Sequence, residues 1–289
     1  MTAVAVRQLR AEPERDLLPP VAIRSLGSFA IHRGDEIAPS AEWQSRKARD
    51  LLKILVTRRG RPATREALIE TLWPEQDPRR TSNRLSVALS TARAVLDPEH
   101  RFGPDHFIRA DRYAVLLECE NVVVDVERFL EDARAGLSRY RAGRLEDAVQ
   151  LLERAEAAYT GDFLEEDLYE DWAVSLREEA RAAYVAVASA LAELADGEGD
   201  HEAAIRLRLR VLERDAYDES AHLALVGSLV AAGRHGEARR AYGRYATRME
   251  KIGIEPGSFP ASMSPSAPRP SRELDIWPAT SHERMASGA

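Results

Sequence analysis

The clearest hydrophobic periodicity in the chain lies between Pro78 and Asp97. Its apolar residues recur at steps of three and four, the spacing that gathers side chains on one face of a helix: Leu85, Ala88, Leu89, Ala92 and Leu96. The residues that fall away from this stripe form the predicted outward face: Arg80, Asn83, Arg84, Val87 and Thr91, with Arg79 at its entrance. That face begins with arginine and asparagine and then becomes small, as suits a helix that enters the major groove of DNA. For this helix alone, the alternative is an ordinary amphipathic helix with a solvated face.

The segments before this helix alternate between strand and helix patterns. Residues 21–38 hold two short β-rich runs separated by turn residues, which predict a small antiparallel sheet. Residues 42–58 carry a helical apolar stripe that a glycine and a proline terminate. A shorter helix then begins from an N-cap at Thr64 and ends at Pro74. Three helices therefore follow one sheet.

A predicted β-hairpin at residues 106–118 completes the N-terminal pattern. An order of sheet, three helices and hairpin is typical of a winged helix, in which the second and third helices form a helix-turn-helix. The third helix of such a domain enters the major groove, and the hairpin, or wing, reaches the neighbouring backbone. Arg109 and Arg112 on the hairpin are then candidates for phosphate contacts. The alternative for both is an exposed charge on a strand.

Residues 21–118 resemble the DNA-binding domain of the SARP-type transcriptional regulators, which is related to the winged helices of response regulators. The resemblance rests on a series of short motifs: Lys47-Ala48-Arg49, Leu51-Leu52, Glu66-Ala67-Leu68-Ile69, Leu72-Trp73-Pro74, Asn83-x-Leu85 and Ser90…Arg93…Leu96. The sequence Leu-Trp-Pro before the third helix is the most specific of these. One departure lies in the wing, where Asp111-Arg112-Tyr113 replaces the usual Gly-Tyr. This departure puts the geometry of the wing's turn in question.

Helical patterns dominate the second half of the chain, from residue 119 to residue 256. Three of its segments are alike: Gly143–Ala148, Gly199–Ala204 and Gly233–Ala238. Ala204 and Ala238 are 34 residues apart, the period of tetratricopeptide repeats, and the first two segments are separated by that period plus an insertion of 22. The pattern predicts stacked helix pairs with a groove for a partner. A helical bundle without a specific partner is the alternative.

This second half resembles the bacterial transcriptional activator domain that follows the winged helix in the same family. The matching motifs run from its start to its end: Asp125-Val126-x-x-Phe129, Tyr159-x-Gly161-Asp162-Phe163-Leu164, Asp171-Trp172, Arg177-Glu178 and Gly253-Ile254-Glu255-Pro256. The predicted fold is mainly α, a winged helix-turn-helix domain followed by an all-α, tetratricopeptide-like repeat domain. The predicted domains are a flexible leader at 1–19, the winged helix at 20–118, the activator domain at 119–256 and a disordered tail at 257–289.

Charge divides the chain in the same way. Residues 20–118 contain 17 Lys and Arg against 13 Asp and Glu, whereas residues 119–256 contain 18 against 29. The first part is therefore weakly basic and the second strongly acidic, which indicates that the first alone contacts a polyanion. Glu75 and Asp77 beside the third helix are acidic in this basic region, so they would either cap the positive end of the helix or oppose the approach of phosphate. We expect capping, because the helix dipole favours a carboxylate there.

The sequence lacks the common signatures of catalysis, secretion and membrane insertion. It contains no phosphate-binding loop, no zinc-protease or nucleophile-elbow motif, and a single cysteine, Cys119. We therefore expect no enzyme, no metal and no cofactor. It also contains no apolar run of about 20 residues and no signal peptide, so we expect a cytoplasmic protein that does not contact membranes.

These observations together predict a sequence-specific transcriptional activator that binds double-stranded DNA. Arg80, Asn83 and Arg84 are the candidates for reading base edges, and Val87 and Thr91 for contact with a thymine methyl group. The predicted phosphate contacts position the protein without specifying sequence: Arg46, Lys47, Arg79, Arg109 and Arg112.

The family resemblance implies further partners. It implies direct repeats in a promoter, a homodimer on the DNA, recruitment of RNA polymerase by the helical domain, and control of a secondary-metabolite or antibiotic gene cluster. Two alternatives stay open. One is a helical-repeat adaptor whose winged helix binds protein instead of DNA. The other is a regulator whose repeat groove holds a small effector.

Overall fold

The computed structural model describes residues 21–76 and 78–260, with the backbone alone for residues 78–80. The chain forms two compact units that meet between Asp125 and Val126 in the sequence. The predicted leader at 1–19 and the predicted tail beyond residue 260 lie outside the described residues.

The first unit alternates short strands with three helices. Its elements follow in chain order: β1 (Val21–Arg24), β2 (Ala30–Arg33), β3 (Glu36–Ile37), α1 (Arg46–Thr57), β4 (Ala63–Thr64), α2 (Arg65–Leu72), α3 (Pro78–Leu96), β5 (Ile108–Ala110), β6 (Ala114–Leu117) and β7 (Val123–Val124). The three predicted helices and the predicted hairpin are confirmed. Thr64 caps α2 as expected, because its hydroxyl oxygen accepts the N–H of Ala67 at 3.2 Å.

Two small sheets flank the helices. The first has the order β3-β2-β1-β7, and β1 pairs antiparallel with β2 but parallel with β7. The second has the order β4-β6-β5, so the hairpin gains a third strand. β7 lies beyond residue 118, where the sequence pattern predicts the end of the winged helix. The Asp125 carboxylate accepts the N–H groups of Ser25 and Leu26 at 2.8 and 2.9 Å, which ties this late segment to the end of β1.

The core of the first unit lies between the helices and the second sheet. Six leucines of the three helices lie in this core, and each is at most 1% exposed: Leu51, Leu52 and Leu55 of α1, Leu68 and Leu72 of α2, and Leu85 of α3. Val115 and Leu117 of β6 are equally buried. Burying apolar side chains of this size stabilises the unit by about 1.5–3 kcal/mol each. The core fixes α3 against α1 with one face outward.

The second half of the chain is helical among its described residues. Its helices are α4 (Asp125–Arg141), α5 (Leu145–Ala158), α6 (Asp171–Gly197), α7 (His201–Arg214), α8 (Glu219–Ala231) and α9 (His235–Lys251). Each helix from α5 to α9 packs against the next. None of the helices within the described ranges is long and apolar enough to cross a membrane.

The three similar segments form similar turns before α5, α7 and α9. Gly143, Gly199 and Gly233 have φ values of 73, 81 and 72°, which a residue with a side chain rarely adopts. The alanine that ends each segment is fully buried against neighbouring helices. The 27 residues of α6 and the loop before it account for the insertion. The tetratricopeptide-like interpretation stays a prediction that these local similarities support.

The chain stays ordered slightly beyond the predicted end of the helical domain. The N–H of Gly257 donates to the Tyr245 hydroxyl at 2.6 Å, and its carbonyl accepts the Tyr242 hydroxyl at 3.0 Å. The Phe259 ring packs edge-on against Tyr242, with ring centres 5.3 Å apart. The prediction of a disordered tail from residue 257 is therefore wrong for residues 257–259, because these aromatic contacts hold the segment on α9.

Candidate nucleic-acid interface

The buried stripe predicted for α3 is confirmed. Its five apolar residues are each at most 4% exposed and face α1 and the core. The opposite face carries small or polar side chains that are exposed to solvent: Ser82, Asn83, Arg84, Ser86, Val87, Ser90 and Ala94. Val87 is 65% exposed, so its methyl groups lie on the outward face of the helix. The three serines keep this face narrow enough for the helix to approach a groove closely.

Thr91 does not belong to this face. It is only 8% exposed, so the prediction that it contacts a thymine methyl group is wrong. The reason is angular, since Thr91 follows Ala88 by three residues and precedes Val95 by four, and both of these side chains are buried. Thr91 is polar because of its hydroxyl group, but its position on the helix places the side chain at the edge of the core.

Arg84 is exposed and positioned by the loop before α3. Its guanidinium donates to the Gln76 side-chain oxygen at 2.6 Å. A neutral partner of this kind orients the group and leaves its positive charge available. Arg79 and Arg80 belong to the first turn of α3, and their side chains lie outside the described residues. The proposed capping by Asp77 also lies outside them, while Glu75 adopts a positive φ of 62° in the loop.

The wing closes by a turn built on Asp111. One oxygen of its carboxylate accepts the N–H groups of Ala114 and Tyr113 at 2.8 and 2.7 Å. These two hydrogen bonds hold the pKa of Asp111 below its usual value. The side chain thus supplies the turn geometry that glycine gives in the family that this domain resembles. The departure from Gly-Tyr at this position therefore leaves the hairpin intact.

The wing arginines differ in their surroundings. The Arg112 guanidinium lies 4.4 Å from the centre of the Tyr113 ring at the tip, and Tyr113 is 61% exposed. Arg109 forms an ion pair with Glu118 at 3.1 Å, which offsets part of its charge. Arg112 is therefore the better placed of the two for contact with a polyanion. Tyr113, which the sequence pattern did not single out as a site residue, shares this position.

Arg65 joins the wing to α3, and sequence reasoning missed it. Its N–H donates to the Tyr113 carbonyl at 2.8 Å. Its guanidinium donates to the Asp111 carbonyl at 3.3 Å and to the Ser86 hydroxyl at 3.2 Å. One signal existed in the sequence, because arginine at the first position of a helix is opposed by the helix dipole. The contacts of Arg65 with the wing and with α3 explain why a cation occupies this unfavourable position.

Arg46 and Lys47 open α1 and share a carboxylate. The Asp50 carboxylate lies 3.9 Å from the Arg46 side chain and 3.7 Å from the Lys47 ammonium. Arg46 is 76% exposed and Lys47 43%, so both charges reach solvent. Exposed pairs of this length contribute little stability. Contacts of these two residues with phosphate stay predictions. Across the residues that the structure describes, no three His, Cys, Asp or Glu side chains are grouped to hold a metal ion.

Comparison with known proteins divides the chain in the same way as its fold. Residues 43–112 match the family described as the C-terminal domain of transcriptional regulatory proteins. Residues 124–262 match the bacterial transcriptional activator domain. The transcriptional regulatory protein EmbR of Mycobacterium tuberculosis and of Mycobacterium bovis is 29% identical over 217 residues, which cover 73% of this chain and 54% of EmbR. The chain thus spans about half the length of the curated relatives it matches.

A solved structure of Mycobacterium tuberculosis EmbR, in complex with a low-affinity phosphopeptide, has a similar fold. The TM-score is 0.69 at 24% identity, over 83% of this chain and 62% of that one. The fold is mainly α, with a winged helix followed by a helical activator domain. The chain therefore carries the two domains of a SARP-type transcriptional regulator, in the same order.

Proposed function

We propose that the protein is a sequence-specific transcriptional activator that binds double-stranded DNA through α3 and the wing. The observation that carries this proposal is the outward face of α3. It combines small serines with Asn83, Arg84 and a strongly exposed Val87, and Arg65 connects it to the wing. Large apolar residues would instead be expected on a face that binds protein.

The first half of α3 carries the side chains that we assign to contacts with base edges. Arg84 is suited to a bidentate contact with guanine, and Asn83 to one with adenine. Arg80 is proposed for the same role from its sequence position. Val87 offers apolar contact to a thymine methyl group. Each good bidentate pair discriminates against the wrong base by about 1–3 kcal/mol.

Residues around the outward face of α3 are assigned to phosphate contacts. Arg112 at the wing tip, Arg46, Lys47 and Arg79 are proposed to hold the DNA backbone, with a smaller part for Arg109. Each neutralised phosphate releases a counterion, so binding weakens steeply as salt rises. These contacts position α3 without choosing a sequence.

The family resemblance supports the remaining parts of the proposal. The protein would bind promoter direct repeats as a homodimer, recruit RNA polymerase through its helical unit, and act in the cytoplasm on a secondary-metabolite gene cluster. The division between a weakly basic first unit and a strongly acidic second unit agrees with one unit for DNA and one for proteins.

Selection of bound sequences from a random pool of double-stranded DNA tests this function. The wild type is compared with an Arg80→Ala/Arg84→Ala variant. The control is an Arg239→Ala/Arg240→Ala variant on α9, which removes the same amount of charge from the helical unit. We expect the wild type and the control to enrich a direct repeat and the α3 variant to lose it. If the wild type enriches no sequence at low salt, the DNA function fails, and a protein-binding adaptor becomes the better account.

A further inference from the structure

An acidic projection with exposed apolar side chains lies between α5 and α6. We call residues 165–171 the acidic knob. Its Leu168 and Tyr169 are 54% and 97% exposed, and Glu165, Glu166 and Asp171 around them are exposed as well. Residues 165–171 contain five acidic residues and no basic one. Large apolar side chains displayed together on a surface commonly mark an interaction site.

The knob is held in shape by a buried arginine. Arg177 of α6 is 4% exposed, and its guanidinium donates to four carbonyls in the knob and just before it at 2.9–3.4 Å: Phe163, Leu164, Asp167 and Leu168. A surface that is already ordered loses little conformational entropy when a partner binds. These hydrogen bonds therefore hold the backbone that carries Leu168 and leads directly into Tyr169.

A surface of opposite charge follows α1 in the first unit. We call residues 58–61 the basic turn, in which Arg58 and Arg61 are exposed. The turn is fixed by a hydrogen bond from the N–H of Arg61 to the Arg58 carbonyl at 2.9 Å and by the positive φ of Gly60. Residues 58–61 contain three arginines and no acidic residue. The basic turn is thus opposite in charge to the acidic knob, and the two surfaces are complementary.

The basic turn lies away from the face proposed for DNA. Strand β6 runs from Ala114, beside the wing tip, to Leu117, a rise of about 10 Å. Gly60 lies at the far end, where a Cβ on it would be 4.0 Å from the Leu117 carbonyl and 3.4 Å from the Cys119 Sγ. The proposed DNA contacts therefore leave the charges of Arg58 and Arg61 unused.

We propose that the acidic knob of one copy of the protein docks on the basic turn of a second copy. Glu165 and Glu166 pair with Arg58 and Arg61, and the Tyr169 ring packs on a guanidinium face. The inference rests on the proposed function in one respect, the direct repeat. Copies on a direct repeat have the same orientation, so neighbours must join two different surfaces, as the knob and the turn are.

Sedimentation of the full chain without DNA tests the interface. At low salt and up to about 100 μM, we expect the average mass of the wild type to rise with concentration and to pass twice the mass of one chain. A Glu165→Lys/Glu166→Lys variant and an Arg58→Glu/Arg61→Glu variant should each associate at least about tenfold more weakly. Mixing the two variants should restore association, since each then meets the opposite charge. A chain that carries all four changes should also associate with itself.

Two matched controls separate the contact from general charge or hydrophobicity. Glu131→Lys/Glu153→Lys changes the net charge of the second half equally at exposed sites outside the knob, and it should leave association unchanged. Tyr169→Ser should weaken association about threefold to tenfold. Tyr217→Ser, at a tyrosine that is 49% exposed elsewhere on the surface, should not.

Three results would overturn the interface. They are a wild type that stays monomeric at low salt, charge reversals that have no effect, and reversals that weaken association but do not restore it when mixed. Association that stops at two copies would overturn the head-to-tail arrangement. Because no DNA is present, these results are independent of the sequence selection. A protein that associates as expected but enriches no sequence would lose only the proposed DNA function.

Discussion

Two pairs of arginines, one pair in each unit of the chain, are used in opposite ways. In the winged helix, Arg84 and Arg112 are exposed and rest against neutral groups, a glutamine oxygen and a tyrosine ring. In the helical unit, Arg177 and Arg208 are 4% and 6% exposed and donate to carbonyls, a carboxylate and a hydroxyl group. The difference shows that the surroundings of an arginine decide whether its charge is available to a polyanion or used to hold the fold together.

Removing the buried guanidinium of Arg177 should have the largest effect. Arg177→Met leaves the carbonyls of the acidic knob without their donor in a buried place, which costs about 3 kcal/mol of unfolding free energy. Urea denaturation monitored by circular dichroism measures the loss. Arg84→Met is the matched control and should change the free energy of unfolding by less than about 0.5 kcal/mol. Equal effects at the two positions would contradict the comparison.

The second buried arginine allows a test by pH. Burial by itself raises the pKa of Asp196, but hydrogen bonds from His201, Arg208 and Ser228 and the charge of Arg208 outweigh it, so the pKa lies below its usual value. Such a carboxyl stabilises the folded state above the pKa of the unfolded chain, and this stabilisation is lost as the pH falls through the lower, folded pKa.

Asp196→Asn should therefore cost about 1–3 kcal/mol of unfolding free energy at pH 7. The difference between wild type and variant should shrink as the pH falls below about 4, the usual pKa of an aspartate. Urea denaturation at a series of pH values measures it. Asp200→Asn, which alters an exposed helix cap nearby, provides a control for local effects. A difference between wild type and Asp196→Asn that stays constant down to pH 2 would show that ionisation of Asp196 is not responsible.

A smaller effect is expected from Arg65, which joins the wing to α3. Arg65→Met should weaken binding to the selected DNA about threefold to tenfold, because the wing and α3 lose a shared donor. Fluorescence anisotropy with labelled DNA measures the affinity. Arg61→Met, in the basic turn, is the control and should leave the affinity of one copy for a single half-site unchanged. The account of Arg65 is wrong if the two variants bind that half-site equally well.

The smallest effect is expected at Thr91. Its side chain is 8% exposed, and Thr91→Val keeps the branched shape and removes only the hydroxyl group, so DNA affinity should change by less than about twofold. Val87→Thr, an equally conservative change on the exposed face, should weaken binding to a site that contains thymine at the contacted position. Anisotropy with the same DNA compares them. A larger loss at Thr91 than at Val87 would restore the prediction made from sequence.

Sequence periodicity predicts the helices of the winged unit well, because each has a buried face that repeats at helical spacing. The same reasoning fails where the polarity of a residue and its position on the helix indicate different environments. Thr91 is polar, but its angle on α3 places it beside Ala88 and Val95. The pairing of β7 with β1, about 100 residues earlier in the chain, is also missed, because no local pattern contains it.

Contacts between distant elements are the part of the site that no local pattern contains. Arg65 opens α2 in the sequence, but its partners lie in the wing and in α3. Arg177 stands out in the sequence as part of a family motif, yet its burial beneath the acidic knob depends on the fold of the loop before α6. Such contacts become visible only when the elements are assembled.

The central claim is that α3 lies in the major groove with Arg84 on a base edge, and methylation interference on the selected DNA tests it most directly. Methyl groups on guanine N7 block the major groove, whereas methyl groups on adenine N3 lie in the minor groove. We predict that N7 methylation of guanines in each repeat blocks the wild type, and that Arg84→Ala becomes insensitive at one of these guanines while keeping the others. Interference confined to adenine N3, or the same pattern for both proteins, would contradict the claim.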